Sequence, residues 1–376
     1  MYLQQYAPEP DSLESQDLWV NFGPQHPSMH GVMRLLVRLE GEVVREVVPI
    51  IGYLHRALEK IAESRTFPQF IPYTDREDYL GAMNGNLGYV LAVERLLEVE
   101  VPRRAALLRV LVAELNRIAS HLIWWGTYSL DLGGWTGVTY GFREREGIVD
   151  IFQDLCGARL TYSYLRFGGV SRDIRPETIQ KIKDFIPFLR KMLGEYRTLL
   201  TGNVIFEART QGIGVISKEE AVNWGLTGPN VRASGVDYDL RRDDPYCLYP
   251  EFEFDVPVAV EGDCYARYLC RFEEMYQSLR IVEQVLAKLE PGPIQGKVPR
   301  VIKPKAGEVY LRTEAPRGEL GVLLVADGSP TPWRLKLRGP SFNAVGAIPR
   351  LAQGWKIGDL ISIIGSIDII LPDVDR

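Results

Sequence analysis

The sequence predicts an α+β fold, a central bundle of long helices with small antiparallel sheets from the N- and C-terminal parts. Three observations carry this. Long stretches between Tyr79 and Leu200 keep the helical apolar period. Val- and Leu-rich runs near both ends alternate as strands do. Gly and Pro punctuate the boundaries between the two kinds of segment.

Residues 1–17 carry Pro and acidic side chains without periodicity and read as an extended N-terminal arm. From Leu18 the pattern is strand-like, and Val32 to Leu39 and Val43 to Val48 flank Glu40-Gly41-Glu42 as a hairpin would. After Gly52, Leu54, Leu58 and Ile61 fall on one helical face, so 18–64 reads as an N-terminal sheet with a short helix. Residues 65–290 form the bundle. Its helices are predicted over Tyr79–Val99, Ala105–Trp125 (with Pro102 at the start), Trp135–Cys156, Glu177–Leu200 (opened by Pro176) and Cys264–Leu289. The Gly-, Asp-, Tyr- and Pro-rich stretch 212–257 reads as an irregular excursion with one short helix near Lys218. Residues 291–376 form a C-terminal α+β part, with strands at Val309–Thr313, Leu320–Ala326 and Trp333–Leu337.

Bulk composition narrows the function. At 376 residues and 46% hydrophobic positions the chain can bury a large core. Its net charge of -5 comes without a basic block that could neutralise a run of phosphates, which argues against a nucleic-acid partner. Cys156, Cys247, Cys264 and Cys270 include no Cys-x-x-Cys pair and read as reduced, mostly buried thiols. The N-terminus lacks the basic start and apolar core of an export signal. The most apolar stretch, Ile357 to Leu371, is broken by Asp359 and Asp368, so any membrane-crossing element is expected in another subunit. Nucleotide-binding glycine patterns are missing too.

Three constellations could carry chemistry. In Gly23-Pro24-Gln25-His26-Pro27-Ser28-Met29-His30-Gly31, two of the four histidines sit four residues apart in a Gly/Pro-constrained turn. They could bond and protonate a ligand; on the segment alone, a turn whose histidines cap carbonyls is the plainer reading, and metal binding is weaker still. In Pro72-Tyr73-Thr74-Asp75-Arg76-Glu77-Asp78-Tyr79, Thr74 or Asp75 can cap the next helix, with Arg76 and Tyr79 three apart on one face. Tyr79 could donate to a carbonyl ligand and Arg76 could stand beside an electron-rich centre; an ordinary capped helix with a surface arginine is the alternative. Asp131, between Leu130 and Leu132, is a carboxylate among apolar neighbours that calls for a specific partner, and a histidine suits it. The run Arg143-Glu144-Arg145-Glu146 reads as an ion-pair network at a subunit contact.

Taken in order, these segments resemble the forty-nine-kilodalton-type (D) subunit of proton-translocating NADH:quinone oxidoreductase, the respiratory complex I family. The resemblance spans about Leu18 to Arg376. It rests on Gly23 to Gly31, Ile51-Gly52-Tyr53-Leu54-His55-Arg56, Glu114-Leu115-Asn116-Arg117-Ile118-Ala119-Ser120-His121-Leu122, Phe142 to Glu146, Arg232-Ala233-Ser234-Gly235-Val236, Arg317-Gly318-Glu319-Leu320-Gly321 and Asp373-Val374-Asp375-Arg376.

The resemblance implies the fold of the nickel-iron hydrogenase large subunit without its metal. The two thiolate pairs of those enzymes are replaced here by the stretches 73–79 and 367–376, which offer no soft ligands. It implies a quinone headgroup held between this chain and an iron-sulfur subunit that carries the terminal [4Fe-4S] cluster. The quinone-binding histidine and tyrosine fall on His30 and Tyr79, with His26 beside them, and the acid paired with the histidine falls on Asp131. Arg76, Thr161 and Arg166 fall near the cluster. Further implied partners are a thirty-kilodalton-type subunit, the quinone-channel membrane subunit and the other subunits of the complex. The chain would then be a peripheral protein on the cytoplasmic, or matrix- or stromal-type, face of the energy-converting membrane, inactive alone.

Reduction to quinol takes two electrons and two protons. A phenol and an imidazole at the two ends of the headgroup suit that chemistry, and Asp131 would hold the tautomer of His30. The sequence departs from the family pattern in three places. Thr161 stands where many members carry a histidine, which predicts a low cluster potential nearly independent of pH, matched to a low-potential quinone such as menaquinone. Thr136-Gly137-Val138-Thr139-Tyr140 replaces the usual Thr-Pro and aromatics after Asp131. The segment 291–307 is shorter than usual. A ferredoxin- or F420-dependent relative with the same role, and a non-catalytic scaffold for the iron-sulfur subunit, are the competing readings.

Overall fold

The computed structural model describes residues 17–25 and 31–376. Most of the expected arm and both His26 and His30 lie outside the described residues. Strands β1 (Leu18–Phe22), β2 (Arg34–Glu40) and β3 (Val43–Ile50) form an antiparallel sheet in the order β1-β2-β3. Along β2 burial alternates, with Leu35, Val37 and Leu39 inward, as the two-residue period of a strand requires. That inner face packs on α12 (Pro340–Ala352) and α13 (Ile357–Ile367), so both ends of the chain share one core.

The first helix, α1 (Leu58–Glu63), begins later than the apolar spacing of Leu54 suggests. Asp375 holds the preceding segment in a non-helical path: its carboxylate accepts from Gly52 N at 2.8 Å and Leu54 N at 2.7 Å. A second difference is α2 (Phe67–Thr74), a helix that the two prolines Pro68 and Pro72 hide in the sequence. Pro68 sits in its first turn, where a proline costs no hydrogen bond. Because α2 ends at Thr74, neither Thr74 nor Asp75 caps α3 (Ala82–Leu97). Gly81 is the N-cap, with no side-chain cap bond, and Asp78 Oδ1 instead accepts from Leu80 N and Gly81 N in the turn before the helix.

The bundle consists of α3, α4 (Arg103–Asp131), α5 (Trp135–Cys156), α6 (Pro176–Tyr196) and α11 (Cys264–Lys288). Helix α6 runs on into a π-helical turn, Arg197–Thr201. A hairpin of β4 (Leu165–Arg166) and β5 (Gly169–Val170) is tied to the bundle by the buried Arg109–Glu94 ion pair, whose guanidinium also donates to Gly169 O. Helix α7 (Val204–Ala208) precedes the excursion, which carries α8 (Lys218–Asn223), α9 (Pro229–Arg232) and α10 (Leu240–Asp243). Strands β6 (Gly307–Ala315), β7 (Gly318–Ala326) and β8 (Arg334–Arg338) form a second antiparallel sheet against α3, and α14 (Leu371–Asp375) closes the chain.

Helix α4, about 44 Å long at 1.5 Å per residue, is buried along most of its length, charged residues included. Arg117, Arg232 and Arg241 meet Glu114, Glu274, Asp239 and Glu314 with none of the seven more than 2% exposed. Arg241 bonds Glu274 at 2.7 Å and Glu114 at 3.1 Å, and Arg232 bonds Glu314 at 2.8 Å. Tyr249 donates to Glu114 and His121 meets Glu274 at 2.8 Å. This network pins the irregular excursion onto α4, α11 and β6. Such groups add little stability over apolar packing, but removing one partner strands a buried charge.

Candidate functional site

The last turn of α13 and the residues after it form the hub on which the separate segments converge. Gly365 lets α4 approach closely: a Cβ there would stand 2.6 Å from Tyr128 Cδ2 and 3.0 Å from Asp131 Oδ2. Trp124 reinforces the contact by donating its indole N–H to Gly365 O at 2.8 Å. Asp131, at the C-terminus of α4, is thereby set against α13.

One turn further on, Asp368 stands in the left-handed region at φ 51° as the C-cap of α13. Arg317, in the β6–β7 hairpin, donates Nη2 to Asp368 Oδ1 at 3.1 Å and Nη1 to Asp78 Oδ2 at 2.7 Å and Ser120 Oγ at 3.2 Å. Arg271 satisfies the open carbonyls of Ser366 and Ile367 at 2.7 and 3.0 Å and stacks over Trp124. The hairpin reaches Asp78 because Gly228 and Gly318 face each other without side chains; a Cβ on Gly228 would come within 2.4 Å of Gly318 Cα.

Tyr79 follows Asp78 in the turn between α2 and α3 and is half-buried. Burial pushes its phenol above the usual value; Arg317 opposes this, and the Asp78 and Asp368 carboxylates add to it. The phenol therefore stays protonated at neutral pH and can donate. The segment holding His26 and His30 is outside the described residues, but its flank is placed: a Cβ on Gly31 would lie 3.6 Å from the Leu371 side chain. Asp131 and Gly31 thus abut residues 365–371, and Arg317 ties the Tyr79 turn to the same stretch.

Arg76 and Tyr79 do not share a helical face as their spacing suggests. Arg76 points outward, its side chain 54% exposed, and donates to Pro72 O. Beside it, the buried Asp75 accepts from Ser163 N at 2.9 Å. Arg166, half-buried, donates to Ser163 Oγ at 3.1 Å, and Thr161 is part-exposed two residues earlier. Arg76, Thr161 and Arg166 are thus set around one edge, with Asp75 at its centre. Burial raises the Asp75 carboxyl to about 7 against the pull of Ser163 N and Arg76, and burial lowers Arg166.

Reasoning from sequence does not find Asp75, Arg317 or Asp368 as site residues. Arg317 lies in a family motif and Asp368 interrupts an apolar run, so both carry a signal; Asp75 reads only as a cap. Among the described residues no group of three or more His, Cys, Asp and Glu could hold a metal ion. Nor is any helix among them long and apolar enough to cross a membrane.

Comparison with known proteins gives this geometry a family. The model of the respiratory-chain NADH dehydrogenase 49 Kd subunit matches residues 131–306 and 297–376. The NADH-quinone oxidoreductase D subunit of Geobacillus kaustophilus is 52% identical over 364 residues, covering 96% of this chain and 99% of its own. The proteins of the same name from Desulforamulus reducens and Bacillus anthracis are 50% and 48% identical, covering 97% and 96% of this chain and the whole of their own. With its motifs, its fold and its near full-length relatives in agreement, this chain belongs to the 49 Kd subunit family of the respiratory-chain NADH dehydrogenase.

Proposed function

We propose that this chain, as a core subunit of a proton-translocating NADH-quinone oxidoreductase, forms the quinone-reduction site together with an iron-sulfur subunit. The observation that carries the reading is the convergence on residues 365–371 of the Asp131 end of α4, the flank of the 26–30 segment and, through Arg317, the Tyr79 turn. Relatives near 50% identity named NADH-quinone oxidoreductase support it. The likeness to the hydrogenase large subunit, the thirty-kilodalton-type and membrane-channel partners, and the cytoplasmic-side placement belong to the same reading.

In this reading Tyr79, kept protonated by burial, donates to one quinone oxygen, and His30, oriented by Asp131, serves the other. The Arg317 guanidinium steadies negative charge as it develops beside Tyr79. The partner's [4Fe-4S] cluster supplies the electrons. On this side Arg76, exposed and beside buried Asp75, is the cation available to face it, with Arg166 and Thr161 next to it. The test is quinone reduction by the assembled complex. Tyr79→Phe is expected to cut turnover by about a hundredfold; unchanged turnover would leave the chain a scaffold.

A further inference from the structure

A helix end leaves its last carbonyls without intrahelical donors, and at the end of α13 three consecutive carbonyls are met by side chains from three other helices. Trp124 of α4 donates to Gly365 O at 2.8 Å. Arg271 of α11 donates Nη1 to Ser366 O at 2.7 Å and Nη2 to Ile367 O at 3.0 Å. Asn230 of α9 donates Nδ2 to the same Ile367 O at 3.0 Å, and its Oδ1 accepts from Arg271 Nη2 at 2.8 Å. Trp124, Arg271 and Asn230 are each at most 3% exposed, so these bonds do not compete with bulk water.

The next residue is Asp368. A non-glycine residue at φ 51° persists only where its surroundings hold it there, and two guanidinium groups face its carboxylate. Arg317 bonds Oδ1 at 3.1 Å. Arg271 Nε stands 3.7 Å from Oδ2, and neither of those two atoms has a hydrogen-bond partner among the described residues. Arg271 therefore both binds the backbone that leads into Asp368 and faces its side chain. From Asp368 the contacts run on without a gap. Arg317 donates to Asp78 Oδ2 at 2.7 Å, and Asp78 Oδ1 accepts from Leu80 N at 3.2 Å and Gly81 N at 3.0 Å, which fixes the backbone on both sides of Tyr79.

We propose that Arg271, assisted by Asn230, is a positioning residue for quinone reduction: it holds the exit of α13 so that Asp368, Arg317 and Asp78 keep the turn carrying Tyr79 in place, and it does not touch the quinone. This rests on the quinone reading above. Lysine is a poor substitute, because a single ammonium cannot span the positions that the planar fork reaches at Ser366 O, Ile367 O and Asn230 Oδ1.

The test is steady-state reduction of a short-chain quinone, measured per assembled complex. Arg271→Lys should lower kcat and kcat/KM together by about tenfold, because a misplaced proton donor is felt in the transition state more than in binding. Asn230→Ala, which leaves Arg271 in place, should lower both by about threefold. In a Tyr79→Phe complex neither substitution should slow turnover further, since the hydroxyl being positioned is already gone. An equal proportional fall in the Tyr79→Phe background, or a raised KM at constant kcat, overturns the proposal and leaves Arg271 a purely structural group. So does wild-type turnover in both variants, or in Asn230→Ala alone where Arg271→Lys does not assemble. If that occurs while Tyr79→Phe is slow, only the positioning role fails; Tyr79→Phe at wild-type turnover removes the quinone reading itself.

Discussion

Arg317 joins Asp78 to Asp368, with 2.7 Å to the first and 3.1 Å to the second, across 239 and 51 residues of sequence. All three are largely withdrawn from water, so the link tests how the Tyr79 turn is held. Arg317→Met strips the part-buried Asp78 of its cation and leaves Asp368 only Arg271, at 3.7 Å. The chain should lose roughly 3–5 kcal/mol in denaturant unfolding, and Arg317→Lys, which cannot bond both acids in the same fork, should recover only part of it.

Gly365→Ala probes the α4–α13 contact. The new methyl would press on Tyr128 and Asp131, costing about 1–3 kcal/mol and shifting Asp131. Quinone turnover should fall further than the loss of folded protein accounts for. Stability reduced with turnover per folded complex intact would separate Asp131 from the site.

In the quinone-site reading, where Arg76 faces the partner's cluster, Asp75 adds a titrating group beside it that reasoning from Thr161 leaves out. With its carboxyl raised to about 7, ionisation near neutrality adds negative charge beside Arg76. The partner cluster's potential should then drop as pH rises through this range, by less than the one-proton limit of about 59 mV per unit. Redox titration of Asp75→Asn should flatten the slope. A flat wild-type titration would restore the expectation drawn from Thr161.

The buried network predicts acid sensitivity. Burial alone would raise Glu274, but Arg232, Arg241, Arg117 and His121 hold it well below the carboxylate range. Its contribution is therefore complete above the unfolded value of about 4.5 and lost as pH falls. Burial also lowers His121 from 6.5 despite Glu274, so protonation below that value favours the unfolded chain. Glu314, raised to about 7, acts oppositely and costs stability as pH rises from about 4.5 to about 7. His121 and Glu314 oppose each other between about pH 7 and about 4.5, so the decline should set in below about pH 4.5, and Glu274→Gln should lose about 3–5 kcal/mol at neutral pH, a gap that narrows in acid. A gap that stays constant down to pH 3 would contradict this assignment.

Much of the architecture is legible because it depends on local period. Trp135–Cys156 keeps a helical repeat bounded by Gly134 and Gly157, and β2 alternates cleanly around the Gly41 turn. The helix around Pro72 is illegible because prolines at its first turn and near its end mimic a loop. The late start of α1 is hidden because the Asp375 carboxylate that fixes the preceding backbone lies 323 residues from Gly52 and 321 residues from Leu54.

Motifs whose residue types survive any folding argument carry the family, and the residues alone nominate His30, Tyr79, Asp131 and Arg76. It took the packing of distant segments to fasten the Tyr79 turn through Arg317 to Asp368 and to turn Asp75 from its expected cap toward Ser163. The reason is physical. Periodicity reports which face of an element is dry, but the proton state of a carboxyl depends on which distant charges and how little water end up around it.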